Sequence, residues 1–220
     1  YASHIITGAG SGGIVCFNNK KLYEKAKLLR GWGRSSAIFN ESEGVKLRFN
    51  TKVDGIPYDG KYIFSEMGYN FLPSEISAAF AIEQLKKLKN NINIRIANFK
   101  YLKNFFENFK DYFKLPEQNN NVRTGWLAFP LLVKENKRIK RNKLQIYLEN
   151  NYIQTRTIFT GNILRQPIMK GKYYKKHKNS TKVSDDVMKN GLLIGCHHGL
   201  KLKELKYMCN IFKKYLVKKI

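Results

Sequence analysis

Four groups of side chains in this sequence have types and spacing suited to chemistry. The first is His4, in Tyr1-Ala2-Ser3-His4, just ahead of the glycine-rich run Gly8-Ala9-Gly10-Ser11-Gly12-Gly13. An imidazole has an ordinary pKa of about 6.5 and can take a proton near neutral pH, although a lone histidine is more often an ordinary polar residue. The glycines form a plain turn or let the backbone approach a ligand closely. The second is Asn70, in Met67-Gly68-Tyr69-Asn70, which stands before a helix start and fits a cap of that helix. The third runs from Thr155-Arg156 through Asn162 and Arg165 to Gln166-Pro167. A guanidinium presents a planar fork to a phosphate, so Arg156 and Arg165 suit an anionic substrate as well as surface ion pairs. The fourth is His197-His198, whose side chains diverge on an extended backbone and do not converge on a metal. Cys16, Cys196 and Cys209 form no close pair, which argues against a zinc site or a disulfide framework. They read as small core residues in a reducing cytoplasm, and no metal site is expected.

The elements that must position these groups follow from periodicity and breakers. After the glycine run, Ile14 to Phe17 reads as a strand, and Lys20 to Arg30 as an amphipathic helix with Leu22, Ala26 and Leu29 on one face, ended by Gly31 and Gly33. Residues 35 to 65 lack a clear period and read as surface chain. Pro73 opens a helix rich in small residues that continues to Leu88, and a second helix is expected from Asn91 to about Lys110. Beyond it the expected order is strand (Trp126 to Val133), helix (Lys137 to Asn150), strand (Ile153 to Phe159), loop, short helix (Val183 to Met188), strand (Leu192 to Gly195) and closing helix (Leu202 to Leu216). That alternation describes a small α/β domain. The expected division is 1–97, belonging to a larger domain, and 98–220, the small one.

With 220 residues, 43% hydrophobic and 13% aromatic, the chain has ample material for a core. No apolar run approaches the roughly 18 to 20 residues that span a bilayer, so no membrane partner is expected. The start has neither an initiator Met nor a signal pattern and reads as continuing from a preceding segment. The net charge of +25 invites a nucleic-acid reading. The lysines, however, lie in stretches also rich in Asn, Ile and Tyr, as an AT-biased genome produces, and no recognition-helix or RNA-stacking pattern accompanies them. The expectation is a solvated basic surface without a nucleic-acid partner.

Five motifs in order then resemble the DegT/StrS group of sugar-nucleotide aminotransferases. Ala2-Ser3-His4 with Gly10-Ser11-Gly12-Gly13 is similar to that group's cofactor-lysine segment and glycine turn. Leu29-Arg30-Gly31-Trp32-Gly33-Arg34 resembles its Arg-x-x-Gly-Arg stretch, and Met67-Gly68-Tyr69-Asn70 its Gly-Tyr-Asn motif. Thr155-Arg156 through Gln166-Pro167, and His197-His198-Gly199-Leu200, match its C-terminal landmarks, with His198 where the family has Pro. The resemblance implies the C-terminal part of a fold-type-I, pyridoxal-phosphate-dependent transferase: the end of the large α/β domain plus the small C-terminal α/β domain.

His4 departs from the aminotransferase pattern. Only a primary amine attaches pyridoxal phosphate covalently, and no lysine precedes Lys20. Histidine at this position resembles the branch that removes the 3-hydroxyl from CDP- or GDP-linked 4-keto-6-deoxy sugars in deoxysugar and polysaccharide biosynthesis. What that implies is a catalytic base at His4, a cofactor-phosphate contact from Asn70 to the neighbouring subunit, and substrate contacts from Arg156, Asn162 and Arg165. It also implies pyridoxal or pyridoxamine phosphate held without a covalent bond, glutamate as amino donor, and a cytoplasmic homodimer. No iron–sulfur cluster is expected, because three cysteines fall short of the four thiolates a two-iron cluster takes. An aminotransferase, or an inactive homologue serving as a binding subunit, is the alternative.

Overall fold

The structure is a computed structural model that describes residues 6, 8, 9, 12–39, 44–134, 138–175 and 181–217. The chain divides into two compact units, 1–86 and 87–220. That division and the expected one at 97/98 both fall inside a single long helix.

In the first unit, α1 (Lys20–Arg30) begins where the Asn19 side chain accepts the Leu22 N–H at 3.2 Å. It closes on the Gly31 N–H, which donates to the Lys27 and Leu28 carbonyls. Lys27 and Arg30 lie in its last turn, where positive charge complements the helix dipole. The strand expected at Ile14 to Phe17 is absent: the segment is irregular, with Ile14 91% and Val15 75% exposed. Apolar β-formers become a strand only when a neighbouring strand takes their backbone groups, and none among the described residues pairs with them.

Residues 44–62 hold more structure than their pattern announces. A short helix, α2 (Val45–Phe49), leads into the antiparallel hairpin β1 (Thr51–Val53) and β2 (Ile56–Tyr58). Its two-residue turn is Asp54-Gly55, both at positive φ (49° and 83°), the combination a type I′ turn requires. Arg48 reaches from α2 to pair with Asp59 and holds that carboxyl below its usual range.

The two helices expected over 73–88 and 91–110 are one, α3 (Glu75–Glu107). No Gly or Pro occurs between Pro73 and Pro116. Asn90 and Asn91 cost only a few tenths of a kcal/mol each in a helix, too little to break it.

The second unit is built on a four-stranded, wholly antiparallel sheet in the order β3 (Phe113–Lys114), β4 (Ala128–Val133), β6 (Gly191–Gly195), β5 (Thr155–Arg156). The helices α4 (Arg141–Glu149), α5 (Thr181–Asn190) and α6 (Leu202–Val217) accompany it. β4 alternates as a one-sided strand must, burying Phe129, Leu131 and Val133. The strand expected over 153–159 shortens to two residues, since the chain turns away through Phe159 and Gly161, both at positive φ. Phe106 of α3 centres the core, with ring centroids 5.5 Å from Phe113 and Phe129 and 4.9 Å from Phe212. Every fully buried apolar side chain among the described residues lies between Phe99 and Leu216. Among the described residues no helix is long and apolar enough to cross a membrane.

Candidate functional site

The two glycine motifs of the first unit interlock through their backbones. Where α1 ends, Tyr69 donates to the Leu29 carbonyl (2.7 Å), Trp32 donates to the Tyr69 carbonyl (2.9 Å), and Phe71 donates to Arg30 (3.0 Å). Three residues further on, Ser65 donates to Gly33 (2.9 Å) and Ser35 to Ile63 (2.9 Å). Antiparallel bridges, Gly31 with Asn70 and Arg34 with Phe64, flank the crossing. At its centre Gly33 sits at φ +77°, and a Cβ there would overlap the Glu66 carbonyl; a Cβ on Gly68 would overlap the Gly33 amide. Both glycines are therefore required by close passage of two backbones. Lys25 of α1 pairs with Glu66 beside the same crossing.

This lock fixes the backbone of Asn70 and leaves its side chain exposed, with no hydrogen bond recorded among the described residues. Asn70 does not cap α3. Nearby, Gly12, Gly13, Ile14, Pro73, Ser77 and Ala78 contribute to an apolar cleft of about 710 Å³, which accounts for the small residues on the first turns of α3. His4 lies outside the described residues, as do Gly10 and Ser11 of the glycine run.

Arg34 was not singled out by sequence reasoning. Its guanidinium carbon lies 4.8 Å from the Trp32 ring centroid and 5.4 Å from those of Tyr62 and Phe64. Its Nε is buried and has no hydrogen-bond partner among the described residues. The sequence signal was Trp32 beside Arg34; the rings of Tyr62 and Phe64 arrive only through the crossing.

In the second unit Asn162 and Arg165 come together on Asp185, a residue the sequence did not suggest. Asn162, 4% exposed, donates to Asp185 Oδ1 at 2.6 Å and accepts the Leu164 N–H at 3.0 Å. Arg165 donates from Nε to Oδ1 (2.5 Å) and from Nη2 to Oδ2 (2.7 Å), and the pair raises the arginine further above its ordinary value. The fork of Arg165 is thus already engaged by a carboxylate. Arg156 stands apart from them on edge strand β5, exposed, with Nη1 donating to the Thr155 carbonyl.

The His197 carbonyl accepts from Asn98 (2.9 Å) and its Nδ1 from the Gly199 N–H (3.2 Å), while burial lowers its pKa. Among the described residues no group of three or more His, Cys, Asp or Glu side chains can hold a metal. Burial pushes the Cys196 thiol up to about 12 and Cys209 up to about 11, so both stay protonated.

The family model described as "DegT/DnrJ/EryC1/StrS aminotransferase family" matches residues 1–213. The lipopolysaccharide biosynthesis protein RfbH of Salmonella typhimurium is 30% identical over 98% of this chain and 49% of its own length. The GDP-4-keto-6-deoxy-D-mannose 3-dehydratase of Escherichia coli O55:H7 is 31% identical over 97% of this chain and 52% of its own. A solved structure of the E. coli GDP-4-keto-6-deoxy-D-mannose-3-dehydratase with bound hydrated PLP superposes with a TM-score of 0.71 at 28% identity, covering 88% of this chain and 48% of that one. The chain spans about half the length of the curated relatives it matches.

Proposed function

Since this chain belongs to the DegT/DnrJ/EryC1/StrS aminotransferase family and has the α/β fold of the C-terminal part of a fold-type-I pyridoxal-phosphate-dependent transferase, we propose that its protein removes the 3-hydroxyl of a nucleotide-linked 4-keto-6-deoxy sugar. One reading of the sequence carries the proposal: Ala2-Ser3-His4 resembles the segment that bears the family's cofactor lysine, and no lysine of this chain precedes Lys20. The likeness to proteins named 3-dehydratases supports it.

The residues present fit a cofactor held without a covalent bond. Asn70 offers a free amide on a backbone that the crossing immobilises, as a phosphate ligand should. Bound pyridoxamine phosphate supplies an amine for the sugar's 4-keto group and a pyridine ring that accepts electrons. His4 takes the proton from the cofactor's aminomethyl carbon as a general base. Arg156, Asn162 and Arg165 contribute to holding the substrate, with Arg165 exchanging its bond to Asp185 for one to the nucleotide sugar. Glutamate would be the amino donor for a bound cofactor, and the nucleotide is CDP or GDP. The enzyme is a cytoplasmic homodimer in which Asn70 reaches the cofactor of the neighbouring subunit, and residues 98–220 form its small domain. It needs no iron–sulfur cluster: Cys196 and Cys209 are buried thiols, which leaves Cys16 as the exposed one.

The test is chemical. His4→Asn is expected to keep the cofactor while slowing loss of the 3-hydroxyl by about 10²- to 10⁴-fold, and borohydride is expected to leave the cofactor unattached in the wild type. Cofactor reduced onto a lysine would return the protein to the aminotransferases. Failure to bind pyridoxamine phosphate at all would make it a binding subunit.

A further inference from the structure

Arg34 has the setting of an anion-binding residue. Its cation lies among three aromatic rings, and its Nε is buried without an acceptor. An arginine held for structure alone would recover the cost of that burial by pairing. Here no carboxylate among the described residues pairs with it: Asp59 is taken by Arg48, and Glu66 by Lys25. The rings themselves remain open to solvent, at 39% exposure for Trp32, 49% for Tyr62 and 58% for Phe64. Trp32 holds φ +60°, which costs free energy for a bulky residue and persists because its N–H is tied to the Tyr69 carbonyl. That strained backbone places its ring over the guanidinium. Rings on the cation hold the guanidinium in place, and its terminal nitrogens are then the donors that match two oxygens of a phosphate.

We propose that Arg34 binds a phosphate of the nucleotide diphosphate, with Trp32, Tyr62 and Phe64 as the rings that orient it. The nature of the anion rests on the dehydratase reading; the presence of an anion site rests on the geometry alone. Arg34 lies three residues along the crossing from Gly31, the bridge partner of Asn70, so one backbone lock would set both the cofactor-phosphate ligand and the substrate-phosphate ligand.

The experiment is calorimetric titration of the cofactor-loaded protein with GDP and CDP, and with guanosine and cytidine as controls, for wild type, Arg34→Gln and Arg34→Lys. Arg34→Gln is expected to weaken diphosphate binding by about 10- to 100-fold, and Arg34→Lys by about 10-fold because charge without the planar fork is a poorer match. Nucleoside binding should not change. Three results would overturn the proposal: variants that bind diphosphates normally, an equal loss for nucleosides and nucleotides, or a wild type that binds neither diphosphate. Intact diphosphate binding through Arg34 without sugar dehydration would sink the dehydratase reading and leave the anion site standing.

Discussion

Tyr215 buries its hydroxyl without a hydrogen-bond partner, as Arg34 buries its Nε, yet the two orphans have opposite meanings. Tyr215 is 7% exposed on α6, packs against Tyr147 at 4.9 Å, and its phenol is pushed up by burial. No hydrogen-bond partner meets that oxygen among the described residues, and the ring accounts for the packing. Tyr215→Phe is therefore expected to be neutral or stabilising by up to about 1 kcal/mol in urea unfolding, because it removes a desolvated group and no bond. Arg34 opens onto half-exposed rings and gains a partner when an anion arrives. At this scale the sequence is a poor guide: a tyrosine on the apolar face of a helix and an arginine after Trp-Gly reveal their surroundings only once distant segments meet.

Among the elements, the crossing of Gly33 and Gly68 is the least tolerant of change. Gly33→Ala and Gly68→Ala each set a methyl against backbone that has no side chain to yield, so a loss of about 3 kcal/mol or more in stability is expected, with weakened cofactor retention. Gly55→Ala, also at positive φ but with open space around it, is expected to cost only about 1 kcal/mol. Thermal melts of the three variants check the contrast. A second device joins α4 to β5: Glu149 accepts the Thr155 N–H at 2.5 Å and its hydroxyl at 2.8 Å, which lowers the carboxyl below its ordinary 4.5. A depressed folded pKa means stability that is full above 4.5 and lost as pH falls through the folded value. Glu149→Gln is thus expected to be slightly less stable than wild type at neutral pH, solvent screening keeping the effect small, with the gap closing in acid.

Elements carried by composition and capping were legible in the sequence: α1 between Asn19 and Gly31 appears at its expected bounds, and α6 ends one residue later than expected. Elements that depend on partners were not. Ile14 to Phe17 has strand composition without a neighbour, β3 is two residues that exist only against β4, and the Asp54-Gly55 hairpin lay in a stretch without period. The candidate site was legible as motifs, but not as contacts: the sequence marked Asn162 and Arg165 and gave no hint of Asp185 between them.

For the molecule as a whole, the uneven distribution of core decides behaviour. All buried apolar side chains among the described residues belong to 99–216, whereas the first unit exposes Ile14, Val15, Tyr69, Phe71, Ile76 and Phe80. In hydrogen exchange of the 220-residue chain alone, slow amides are expected across β4, β6 and α6, and fast exchange over 12–64; uniform protection of both units would show that the first finds its core unaided. The exposed apolar face also supports the proposed homodimer, and light scattering that finds a fully active monomer would remove it. The Gly33–Gly68 crossing carries a consequence for lineage. It ties off residues 34 to 67 as a loop closed at its base, and the entropy of such a loop rises only logarithmically, by about 0.6 kcal/mol per doubling of length. Insertions and deletions in the hairpin at Thr51–Tyr58 can thus accumulate over generations while Asn70 keeps its register, giving selection a stretch of chain to rewrite beside a fixed anchor.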